Sequence, residues 1–240
     1  LGNVFVTGAT VNTSGTINAA NLTIVSGALS GSATANINNL SISAGTFGGT
    51  GVITVIDTFN WTGGSILNAA NFSTGNASTS TLQGHVVTLT DTTWNNSGTI
   101  DWNGDGGSTD TLALSGSAVL NNLTGAIFND NTTAASTGLG FNSATAVINN
   151  AGTWNKVGTN TTVAATAHFN NTGTVTVSNG VFSLNTSGTD TGNYTNSGAG
   201  ETWFSGGART LTNSNLGNVF VTGATVNTSG TINAANLTIV

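Results

Sequence analysis

Residues Leu1 to Val25 read LGNVFVTGATVNTSGTINAANLTIV, and Leu216 to Val240 repeat those letters without a substitution, a displacement of 215 residues (216 minus 1). Recurrence at a fixed period is the signature of an array rather than of a single closed domain. The chain is therefore read as one full repeat unit over 1-215 and the start of the next identical unit over 216-240. It carries no Met, so it is read as a processed chain or an excerpt of a longer one.

A smaller period lies inside the large one. Asn, one or two small residues and Gly precede an alternating run in Asn96-Ser97-Gly98-Thr99-Ile100, Asn150-Ala151-Gly152-Thr153-Trp154, Asn171-Thr172-Gly173-Thr174-Val175 and Asn196-Ser197-Gly198, with looser copies at Asn12 to Gly15 and Asn122 to Gly125. Runs such as Thr174-Val175-Thr176-Val177 and Val86-Val87-Thr88-Leu89-Thr90 alternate with period two, which buries one face of a strand. Strong helix formers are scarce while Gly, Thr, Asn and Val dominate, and Pro, which would remove a ladder hydrogen bond, is absent. The chain is expected to be all-β: a parallel β-solenoid (β-helix) with one coil per turn signal. At about 20 to 25 residues a coil, one unit makes about nine to ten coils and roughly 45 Å of axis. Asn is expected to stack as amide ladders, and Gly to take positive-φ corners. Tandem immunoglobulin-like β-sandwiches are the alternative, although domains of about 100 residues would halve the visible period.

These Asn-x-Gly-Thr-apolar phrases, with the Gly/Asn/Thr richness around them, resemble the β-helical passenger regions of autotransporter adhesins and filamentous-haemagglutinin-like exoproteins. The resemblance implies a secreted, parallel β-helical stalk at the cell surface. The unsubstituted 215-residue recurrence departs from the usual drift of coils in such proteins and favours a material built of near-identical units.

Composition narrows the function. Only 4% of residues are charged, yet 37% are hydrophobic, so the chain has enough apolar content to fold. Its two cations, Lys156 and Arg209, against a net charge of −6, exclude a phosphate-binding surface, so no nucleic acid partner is expected. No apolar stretch has the length of a membrane span. Cys is absent, which removes thiol chemistry, disulfides and Cys-zinc sites. An extracellular or cell-surface location suits that composition.

Candidate chemistry is sparse. The acids are Asp57, Asp91, Asp101, Asp105, Asp110, Asp130, Asp190 and Glu201, and the histidines are His85 and His168. No paired acid and base is apparent, Glu201 beside Trp203 reading as a loop residue, and no enzymatic activity is expected. One pattern is sharper: Asp101-Trp102-Asn103-Gly104-Asp105-Gly106 has the D-x-N-x-D-G spacing that opens a calcium loop, with Asp110 further on and Leu112 where the bidentate Glu would stand. Asp101, Asn103, Asp105 and Asp110 are the candidate Ca²⁺ ligands. Trp61, Trp94, Trp102, Trp154 and Trp203 are assigned to core filling ahead of a sugar-stacking stripe. Thirteen Asn-x-Ser/Thr triplets lie within 1-215, including the candidate glycosylation sites Asn12, Asn21, Asn39, Asn60, Asn76, Asn131 and Asn160; most arise from composition.

The expected function is structural: a filament, stalk, sheath or surface layer whose partner is itself, through successive units or neighbouring filaments. The alternative is an adhesin or ligand-binding rod, with surface glycans or ice as its target, the latter through the Thr-x-Thr strips.

Overall fold

The computed structural model describes residues 1–140 and 143–240. Among them there is no helix; thirty strands form one continuous sheet that winds into a solenoid of about twelve turns. Every pairing is between strands of successive turns and is parallel, which excludes the antiparallel sandwich alternative.

Each turn has three faces, taken in chain order as I, II and III. Face I begins with Asn3–Val6, face II with Ala9–Thr13, and face III with the first half of Thr16–Ile24, whose second half already lies on face I of the next turn. Long strands of this kind, Thr16–Ile24, Thr34–Ile42 and Val52–Trp61, carry two faces without a corner turn. Further along, each face has its own short strand, as in Thr93–Asn96 on face III, Thr99–Trp102 on face I and Thr109–Ser115 on face II.

The turn is not of constant length. Stacked partners are 18 residues apart at Asn3 and Asn21 and 28 apart at Asn122 and Asn150. The excess is absorbed at corners, as in the Asn103–Ser108 excursion between strands, because only the inward-facing pairs must stay in register.

Alternation places the core. On face I, Phe59 and Trp61 point inward while Asn60 is exposed, and Trp154 points inward between the half-buried Thr153 and Asn155. Trp61, Trp94, Trp102 and Trp154 are fully buried, as expected, and Phe128 stacks on Trp154 with centroids 3.7 Å apart and planes at 4°. Burial of each such side chain contributes roughly 1.5–3 kcal/mol.

The glycines confirm half of their expected role. Gly125, Gly198 and Gly230 have positive φ, but Gly98, Gly152 and Gly173 do not. The latter stand where coils approach closely: a Cβ on Gly173 would lie 2.1 Å from the Gly152 carbonyl oxygen, and one on Gly192 would lie 2.2 Å from that of Gly173. The corner series is thus Gly152, Gly173, Gly192, and Gly198 belongs to a different corner, which is why glycine spacing misjudges the coil length.

The two identical segments keep the same internal register, Asn3 on Asn21 and Asn218 on Asn236, but occupy different faces. Ten ladder steps carry face I from Val4 through Leu22, Leu40, Phe59, Ser80, Ile100, Phe128, Trp154, Val175 and Tyr194 to Leu216. Val219, the counterpart of Val4, then pairs with Thr202 on face II. Val226, the counterpart of Val11, pairs with Arg209 on face III. The 215-residue unit therefore makes ten turns and one further face, slightly more than the nine to ten coils expected.

Candidate functional site

Two features carry chemistry: the polar ladders with the edges they leave open, and a loop where ionisable groups converge.

The Asn-Asn pairs at 95–96, 121–122, 149–150 and 170–171 send one amide outward and one inward on face III. The inward series is a buried ladder. Asn96 Nδ2 donates to Asn122 Oδ1 at 2.9 Å, Asn122 to Asn150 at 2.8 Å and Asn150 to Asn171 at 2.9 Å. The second N–H of each goes to a backbone carbonyl, that of Ile127, Thr153 and Thr174 respectively. Both amide protons are satisfied, so the ladder lies in the core without an orphaned donor. The outward series, Asn121 to Asn95, Asn149 to Asn121 and Asn170 to Asn149, runs parallel to it at 2.8 to 3.0 Å.

The only Lys and the only Arg are both inside the solenoid. Arg209 Nε and Nη2 reach Asp190 at 2.9 and 2.6 Å, Tyr194 donates its hydroxyl to Asp190 at 2.7 Å, and Phe169 O accepts from Nη2 at 2.9 Å. Lys156 Nζ lies 3.9 Å from Asp130 and donates to Gly158 O and Asn160 Oδ1, each at 2.7 Å. Burial raises the Asp130 and Asp190 carboxyls above the ordinary range against the pull of their cations, and it lowers the Lys156 amine. With both cations interior, the outer surface carries acids and no Lys or Arg. Sequence reasoning did not place these residues, although parity does: Lys156 is two residues from Trp154, Asp130 two from Phe128 and Arg209 two from Leu211, all inward.

The four expected calcium ligands separate. Asp101 Oδ1 accepts from Asn129 Nδ2 at 2.7 Å and Asn103 Oδ1 from Asn131 Nδ2 at 3.0 Å, both in outward ladders of face I. Asp105 and Asp110 come together with His85, their ligand atoms all within 4.8 Å of one another. Val86 stacks on Thr111, so His85 and Asp110 are register neighbours on successive coils. Asp110 Oδ1 accepts from the Asp105 backbone N–H at 3.0 Å, and Gly107 N–H donates to Asp105 Oδ1 at 2.8 Å. Asp110 is buried and its carboxyl is raised, desolvation being the main cause. His85 went unassigned in the sequence because it lies in the preceding coil.

Of the candidate glycosylation sites, Asn12, Asn21, Asn60 and Asn76 are exposed, and Asn39, Asn131 and Asn160 are half-buried. The amide nitrogens of Asn21, Asn39, Asn131 and Asn160 are engaged as donors, to Asn3, Asn21, Asn103 and Ala134 O among others. Trp203 is the one tryptophan outside the core; it lies over Phe220 at 5.9 Å and donates to Glu201 at 2.8 Å. The threonine strip at Thr88 does not extend, being stacked between Ser65 and Ala113, whereas Thr174 stacks on Thr153 and Thr176 on Thr195 in adjacent coils.

At the two ends the interior is open. Inward-facing Val11, which stacks on Leu29, is 39% exposed and Ile239 76%, and a cavity of about 320 Å³ lined by Leu216, Val226, Ile232 and Leu237 opens at the C-terminal coil. No helix among the described residues is long and apolar enough to cross a membrane. In comparison with known proteins, no family model matches the chain, and no curated protein or solved structure matches it at significance.

Proposed function

We propose that this chain is a segment of an extracellular β-solenoid rod whose role is mechanical, as filament, stalk, sheath or surface layer, and whose partner is a further copy of itself. The observation that supports this reading is the passage of the coils through the repeat boundary. Leu216 stacks on Tyr194 and Val219 on Thr202 with no cap, break or change of strand direction. A parallel coil leaves a row of unpaired backbone groups on each end, and the next coil satisfies them.

The edges match. On the last described coil residues 236–239, Asn-Leu-Thr-Ile, present the outward Asn and the inward apolar pair, Leu237 and Ile239, that Asn3, Val4 and Val6 present on the first, with Thr238 in the place of the outward Phe5. Ladders of uncharged amides and a surface free of Lys and Arg suit a load-bearing element that is chemically quiet. The resemblance to autotransporter and filamentous-haemagglutinin-like passenger regions, carried by the Asn-x-Gly phrases, points to the same setting.

The test is sedimentation and electron microscopy of the purified chain and of a chain of two full units. Rods that lengthen with concentration, and a two-unit chain seen as one unbroken rod, are expected. Globular monomers at all concentrations, or two beads joined by a linker, would overturn the reading.

A further inference from the structure

We propose that His85, Asp105 and Asp110 form a binding site for a divalent transition ion of the zinc type, which fastens one coil to the next. Three observations converge on it. The ligand atoms of the three side chains lie within 4.8 Å of one another, with His85 Nδ1 3.8 Å from Asp105 Oδ2. Bonds of about 2.0–2.2 Å to a common ion place neighbouring ligand atoms roughly 3.3 Å apart, so the cluster must contract by at most about 1.5 Å. His85 and Asp105 are about half exposed and free to make that adjustment, while Asp110 is fixed.

The second observation is independent of the clustering. Among the described residues Asp110 Oδ2 is buried and has no hydrogen-bond partner; the other buried side-chain atoms in that condition are the Ser80 hydroxyl and the ring N–H groups of Trp61, Trp102 and Trp154. Asp110 is thus the one carboxylate among them. A buried carboxylate oxygen without a donor is costly unless a cation meets it. Its neighbours Asp105 and His85 are the groups that would share that cation.

The third is the shape of the loop. Gly104, at φ +65°, lies so close over the Asp110 carboxylate that a Cβ there would fall 2.0 Å from Oδ2. The Asp105 N–H holds the other oxygen at 3.0 Å, which leaves Oδ2 as the free one. The donor set, one imidazole with two carboxylates, belongs to zinc-like ions; calcium takes oxygen ligands alone. Because His85 precedes Val86–Thr90 and Asp110 is the second residue of Thr109–Ser115, the strand that stacks on it, the ion would bridge successive turns on face II.

The experiment is isothermal titration of the chelator-stripped chain with Zn²⁺, and separately with Ca²⁺, together with melting curves. Under the proposal one Zn²⁺ binds per chain and raises Tm, and Ca²⁺ gives no saturable heat. Loss of an outer-shell partner alone costs metal sites about 10–100-fold in affinity, so loss of a ligand in His85→Ala or Asp110→Asn is expected to weaken binding at least about tenfold. His168→Ala and Asp101→Asn leave it unchanged. His85 is exposed, so His85→Ala keeps its fold, and circular dichroism without metal checks this for each variant. Failure of Zn²⁺ to bind, or equal affinity in His85→Ala and wild type, overturns the proposal. Calcium binding lost in Asp101→Asn but retained in His85→Ala would replace it with the oxygen-only loop. None of these outcomes bears on rod formation, which is scored separately by sedimentation.

Discussion

Asn122 donates its amide N–H to Asn150 at 2.8 Å from one coil to the next, with both side chains within the core. The pair repeats through Asn96 and Asn171, and the second proton of Asn122 is taken by Thr153 O at 3.0 Å. Substituting Asn122 by Ala strips an acceptor from Asn96 and donors from Asn150 and Thr153 O at one stroke. Each buried group so orphaned costs about 1–3 kcal/mol, so with three groups affected Asn122→Ala is expected to lose about 3 kcal/mol or more in urea unfolding. Asn121→Ala, one residue away on the outer ladder where water replaces the lost partner, is expected to lose under about 1 kcal/mol. Equal losses would show that the interior ladder has no special weight.

Gly173 tests the corner. Its φ is not positive, so an Ala there is permitted by the backbone, but the added Cβ would meet the Gly152 carbonyl oxygen at 2.1 Å. Gly8 is the reverse case, with φ of 69° and nothing within 4 Å of an added Cβ. Gly8→Ala is expected to cost the left-handed penalty alone, about 1–2 kcal/mol, whereas Gly173→Ala must push adjacent coils away from each other and is expected to cost more. Chemical denaturation of both variants decides it.

These positions also show what the sequence made legible. The Asn-x-Gly phrase marks true corners because close stacking and amide ladders demand those residue types, and the all-parallel solenoid follows from it. Coil length was not legible: Asn3 to Asn21 is 18 residues and Asn122 to Asn150 is 28, since corner loops such as 103–108 add residues without disturbing the inward register. The partners of Asp101 and Asn103 were illegible for a related reason. Both are absorbed by outward ladders with Asn129 and Asn131, and the neighbour of Asp110 across the ladder is His85, which no local spacing reveals. Lys156 and Arg209 were legible by parity with Trp154 and Leu211, although a lone cation in a chain of low charge reads first as a solvated one.

Lys156 gives the pH prediction. In the unfolded chain the Asp130–Lys156 pair holds one proton between the ordinary values of about 3.9 and 10.4. In the folded chain burial raises Asp130 and lowers Lys156, while Asp130 accepts from the Thr132 and Thr162 hydroxyls as a carboxylate 3.9 Å from the Lys156 cation, so the intact pair contributes little slope near neutrality. Lys156→Met removes the cation and leaves Asp130 raised further by burial alone. Its contribution is then fully present below about pH 3.9 and lost as pH rises toward the folded value, at about 1.4 kcal/mol per unit. Unfolding free energies between pH 4 and 7 should fall with pH in the variant relative to wild type. Parallel curves would place Asp130 outside the influence of Lys156.

The position of the repeat on the solenoid has a consequence for any longer array. Thr10 lies on face II, stacked on Ala28, and its counterpart Thr225 lies on face III, stacked on Ala208. Ten turns and one face separate them, which at about 4.8 Å per turn is a rise of about 50 Å with a rotation of one third of a turn. The segment tolerates either face because it asks only for alternation and for an 18-residue partner, and both copies have these. Surface features in an array of such units then return to the same side only after three units, about 150 Å, so the rod presents them along a gentle spiral. A three-unit chain carrying Thr10→Cys and its equivalents, labelled with gold and imaged by electron microscopy, should show labels about 50 Å apart in axial rise and 120° apart in azimuth. Labels in a straight line along one side would mean that the unit closes on whole turns and that the boundary at Leu216 is accommodated differently in the array.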